Sequence, residues 1–96
     1  MTYHTRAAAL EAAMEEADQE AGIARALYEY AAKRALAANR AVLEADLAGR
    51  CPHHVWDRAR RADVRTSRLR TRYSHAVRAR VAAARAYSTF VQQGAQ

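Results

Sequence analysis

The sequence predicts an all-α fold: a single domain over residues 1–96 in which two long helices fold back on each other as an antiparallel hairpin. Three observations carry that prediction. Strong helix formers dominate, with 26 Ala and 15 Arg among 96 residues against 3 Gly and 1 Pro, a composition that favours long helices over strands. Small and apolar residues recur at alternating steps of three and four, the spacing that keeps side chains on one helical face. The one strong break lies at the centre, in Ala48-Gly49-Arg50-Cys51-Pro52. There a glycine can take the left-handed position past a helix end, and a proline can open the next helix at its first turn.

The first helix is expected over about residues 6–48. Its packed face reads Leu10, Met14, Ala17, Ala21, Ala24, Tyr28, Ala31, Ala35, Ala38, Val42 and Ala45. Gly22 interrupts it at a cost of about 1 kcal/mol relative to alanine and is the natural place for a kink. After a hinge at residues 49–53, the second helix is expected over about 52–91. Its face reads Val55, Ala59, Ala62, Thr66, Leu69, Tyr73, Ala76 or Val77, Ala84, Tyr87 and Val91. Thr66-Ser67 could divide this helix, but the arginines and leucine around the pair favour continuity. Residues 1–5 and 92–96 are expected to be flexible ends. Folding at the hinge sets residue i opposite roughly residue 100 − i, which brings Tyr28 to Tyr73, Val42 to Ala59, Met14 to Tyr87 and Leu10 to Phe90.

A seam so rich in alanine buries little area, and a hairpin of this size is marginal on its own. Leu36, Leu43 and Leu47 fall outside the main face of the first helix, as do Ile23 and Tyr30. A two-helix hairpin buries one stripe per helix, so leftover apolar residues predict a further helix against them. The leading expectation is therefore a non-enzymatic interaction module whose hairpin completes a four-helix bundle. The partner would be a second copy in a homodimer, or another helical or acidic protein. Adaptor, regulator and assembly component all fit such a module.

The charge pattern supports an alternative. Residues 1–49 carry five basic and eight acidic side chains, whereas residues 50–96 carry eleven arginines and two aspartates. Arg58, Arg61, Arg65, Arg68 and Arg72 follow steps of three, four, three and four, aligning five guanidiniums along one flank of the second helix, and His75 continues the row. Such a row could track the phosphates of DNA or RNA without reading sequence. Arg60, Arg78 and Arg85 form a sparser row opposite. Internal pairing competes with both, since the register brings Glu29 near Arg70 and Arg72, Glu44 near Arg58, and Glu15 or Glu16 near Arg85. No helix-turn-helix spacing is present, and Tyr73 and Tyr87 belong to the seam rather than to the row.

Catalytic chemistry finds no foothold in the sequence. No nucleophile stands beside a base with an orienting acid, no glycine loop could cradle phosphate, and no Glu-x-x-His pair points to a di-iron site. Cys51, His53, His54 and Asp57 are dense but sit too close together at a helix start to converge on one ion. No metal, cofactor or small-molecule substrate is expected. No run approaches the length of a membrane span or a secretory core, and one cysteine suits a reducing compartment, so the expected location is the cytoplasm and no membrane contact is expected. In length, two-helix layout and a tryptophan near the turn, the chain is similar in shape to the secreted helical hairpins that carry a Trp-x-Gly turn. Trp56-Asp57-Arg58 lacks that glycine and no Tyr-x-x-x-Asp/Glu follows the second helix, so the likeness stops at shape.

Overall fold

The computed structural model describes residues 2–94 and consists of two helices, α1 over Tyr3–Leu47 and α2 over His53–Gly94. They pack antiparallel into a rod of 71 × 17 × 13 Å. Both helices run further out than the sequence patterns predict. Tyr3–Thr5 and Gln92–Gly94 are helical, and residues 1, 95 and 96 of the expected flexible ends lie outside the described residues. Local chemistry accounts for the extension. Thr2 caps α1, its hydroxyl oxygen accepting from the Thr5 amide at 3.3 Å, which satisfies one of the amides that a helix start leaves unpaired. Across the open end of the hairpin, Tyr3 stacks on Phe90 with ring centroids 4.8 Å apart.

The hinge forms where the glycine and proline place it. Gly49 adopts φ +88°, and its amide donates to the Asp46 carbonyl while the Arg50 amide donates to that of Ala45, at 3.0 and 3.1 Å. This paired closure of the last turn needs a left-handed residue, which glycine supplies without a Cβ clash. Pro52 stands one position earlier than expected. It is the cap of α2 rather than its first helical residue, its carbonyl accepting from Val55 and Trp56. Neither Gly22 nor Thr66-Ser67 breaks a helix. The Thr66 hydroxyl lies 2.8 Å from the Ala62 carbonyl of its own helix and 3.2 Å from that of Ala31 across the seam, so its one proton is shared between the two acceptors.

All eleven positions predicted for the α1 face are buried or half-buried. The core at its centre is made of alanine: Ala21, Ala24, Ala31, Ala35, Ala59 and Ala76 are buried, and among the described residues no larger side chain is fully buried. The α2 face holds from Val55 to Val77 and then corrects the sequence reading by one residue. Ala83 and Phe90 take the seam with Tyr87, while Ala84 and Val91 are exposed. Continuing the three-and-four spacing through the exposed Arg80 gives the observed phase. Cross-seam contacts set the register. Tyr28 stacks on Tyr73 at 6.1 Å, and Asn39 donates to both the Ala35 carbonyl and Asp63 at 2.8 and 2.9 Å.

Gly22 is exposed, and a Cβ added there meets nothing within 4 Å. Gly22→Ala is therefore expected to raise stability by roughly 0.5–1 kcal/mol, because the unfolded chain loses freedom and the folded one gains no clash. Thermal unfolding followed by circular dichroism checks this, and a lower Tm would show that the glycine relieves a strain in α1.

Candidate functional site

The hairpin presents two flanks, one on each side of the seam, and the residues singled out from sequence divide between them. On α1, Leu36 and Leu43 lie one turn to either side of Asn39, so they share its flank. Asn39 reaches Asp63, and heptad steps from Asp63 lead along α2 through Arg70 and Val77 to Ala84 and Val91. This flank also carries Glu11, whose carboxylate accepts from the Tyr87 hydroxyl at 3.0 Å. That hydrogen bond, with the added repulsion between the carboxylate and a tyrosinate, pushes the Tyr87 phenol above its ordinary value.

Leu36, Leu43 and Leu47 are 64%, 59% and 80% exposed, the last at the hinge end. Val81 is exposed on the α2 side, one turn beyond Val77. Ile23 and Tyr30 are exposed as well but do not join these leucines. Ile23, Leu27, Tyr30 and Arg34 follow steps of four, three and four along the opposite edge of the seam. The five residues expected to form one partner surface therefore belong to two.

The second flank carries the arginine row. Arg58, Arg61 and Arg65 line a groove whose other wall is Tyr30 and Arg34 of α1, floored by Ala31 and Ala62. Further along, Arg68, Arg72 and His75 continue the same edge. Tyr30 is 59% exposed. The Arg34 guanidinium lies over its ring at 5.6 Å and donates to its hydroxyl at 3.0 Å, which holds both side chains in one arrangement. Sequence reasoning missed this partnership because it treated the row as a property of α2 alone. The signal was present, since the expected register sets Arg34 level with residue 66.

Internal pairing neutralises little of the row. Among the described residues one ion pair crosses between the helices, Arg72 with Glu20 at 2.8 Å. Glu29 pairs with Arg25 of its own helix rather than with Arg70 or Arg72. Its position, seven residues before Leu36, puts it on the flank away from Arg72. Arg25 is held charged above its ordinary value by that carboxylate. Arg61 is tied to Asp57 one turn back, and the hydrogen bond keeps the Asp57 carboxyl below the usual range. Neither the Glu44–Arg58 pair nor one between Glu15 or Glu16 and Arg85 forms, and Arg58, Arg65 and Arg68 have no ion-pair partner among the described residues.

At the hinge, Trp56 is exposed, with Arg60 of its own helix over the ring at 5.6 Å and the His53 ring at 6.0 Å. Cys51 is a free thiol. Among the described residues no group of three or more His, Cys, Asp or Glu side chains could hold a metal ion, and no helix is long and apolar enough to cross a membrane. The class these features define is an alanine-seamed antiparallel helical hairpin with one apolar-edged and one basic flank. No protein-family model, curated protein or solved structure matches the chain.

Proposed function

We propose that this protein is a non-enzymatic assembly module that pairs with a second copy of itself into a four-helix bundle through the Leu36 and Leu43 flank. The observation that carries the reading is the absence of any fully buried side chain larger than alanine among the described residues, while Leu36, Leu43 and Leu47 stay exposed. Burying a leucine stabilises by about 1.5–3 kcal/mol, and a hairpin that leaves these three leucines outside its own seam has that stabilisation left for an interface.

A second copy suits the pattern because the flank complements itself when two hairpins lie head to tail. Its exposed apolar residues include Leu36 and Leu43 in the hinge half of α1 and Val81 and Val91 in the open half of α2, with Trp56 at the hinge end. Head-to-tail packing sets one group against the other twice over, as a two-fold interface requires. The same arrangement brings the acidic open end of α1, with Glu11 and Glu15, toward the hinge half of α2 and its Arg60. Opposite charges in those positions favour this orientation over the head-to-head one.

Sedimentation equilibrium tests the proposal. The native chain should be a dimer at micromolar concentration, and Leu36→Glu with Leu43→Glu should make it a monomer. Val81→Glu with Val91→Glu should do the same, because each set is buried by the other. A chain that stays monomeric up to about 100 μM, where an interface of ordinary strength is saturated, would sink the proposal.

A further inference from the structure

We propose that the groove bounded by Arg34 of α1 and Arg58, Arg61 and Arg65 of α2 binds the phosphodiester chain of a single-stranded nucleic acid, with a base stacked on Tyr30. This goes beyond the pairing of two copies and does not depend on it, since the groove lies on the flank away from Leu36 and Leu43.

Four arginines from two helices line one open depression here. Arg61 is paired with Asp57, and Arg34, Arg58 and Arg65 have no acidic partner among the described residues. Like charges around one depression repel one another, and the repulsion is relieved when an anion enters. Arg68 extends the charge along the α2 edge, followed by Arg72, which Glu20 pairs. From Arg58 to Arg72 the helix rises about 21 Å, which provides a track for a linear polyanion rather than a pocket for one phosphate. Each guanidinium can offer a phosphate two parallel hydrogen bonds.

The single strand follows from Tyr30. A duplex keeps its bases stacked inside and presents only phosphate to such a row, so an aromatic ring in the groove would have nothing to meet. A single strand turns base faces outward, and stacking on an aromatic tolerates any base. One face of the Tyr30 ring lies against Arg34, and the ring is exposed enough to take a base on the other.

The test is fluorescence anisotropy with labelled oligo(dT) and oligo(U), repeated across a salt series. Binding should weaken steeply with salt, and Arg58→Ala with Arg65→Ala should flatten the logarithmic slope by about 1.4, since each phosphate contact on a single strand contributes about 0.7. Tyr30→Leu, an exposed substitution that keeps apolar bulk, should weaken binding about fivefold to a hundredfold. Arg78→Ala with Arg85→Ala removes the same charge outside the groove and should leave Tyr30-dependent binding in place with a smaller loss. Equal weakening by the two double variants would overturn the site, as it would mean diffuse attraction. Duplex binding as tight as single-strand binding, with Tyr30→Leu silent, would overturn the strand preference. Tighter binding of polyglutamate than of oligo(dT) would overturn the proposal in favour of an acidic protein surface.

Discussion

Replacing Ala24 with leucine is expected to cost about 2–3 kcal/mol, enough to remove much of the stability of a domain this small. Ala24 is 0% exposed and packs in a cluster with Ala21 and Ala76, bordered by Tyr73. The helices can lie close there because each offers a methyl group and no more. Three additional carbon atoms cannot find a rotamer in that space, so the helices must separate, and the contacts at Tyr28, Tyr73 and Thr66 separate with them. Ala26→Leu supplies the control, since residue 26 is exposed and leucine is nearly as good a helix former as alanine. Chemical denaturation should show a large loss for the first variant and little change for the second. Similar behaviour in both would mean that the seam is loose and that close approach is not what holds the hairpin.

The second large effect is expected at the aromatic pair. Tyr28→Ala and Tyr73→Ala should each cost about 2 kcal/mol, less than a fully buried aromatic because both rings are half-buried. The rings stack at 6.1 Å with an interplanar angle of 28°, so the double variant should lose less than the sum of the two. A coupling of about 0.5–1.5 kcal/mol is expected from a double-mutant cycle. Additive losses would place the rings in separate environments and shift the register of the hairpin. The pair is an aromatic stack in the middle of the rod, where the buried residues are alanines, and so it favours one axial alignment among those that the small residues would tolerate.

Much of this architecture is legible in the amino-acid order. Alanine and arginine set the helices, glycine and proline set the hinge, and alternating steps of three and four gave every face position of α1. The expected face is one residue out of phase at Ala84 and Val91, because the three-and-four steps run from Ala76 through Arg80 to Ala83, Tyr87 and Phe90, and a charged residue at one step hides that continuation in the amino-acid order. The arginine row was equally visible, and so was the surplus of leucines.

What the sequence determined by itself was each helix and the stripe it buries, because a 3.6-residue repeat fixes angular position around one axis. It could not determine which edge of α1 lies beside which edge of α2, since that depends on the rotation of each helix about its axis once the alanine seam has closed. Only the tertiary structure decided that Tyr30 and Arg34 share a groove with Arg58, Arg61 and Arg65, that Leu36 and Leu43 belong to the other flank, and that Glu20 rather than Glu29 meets Arg72. Periodicity describes one helix at a time, whereas a binding surface is made by two.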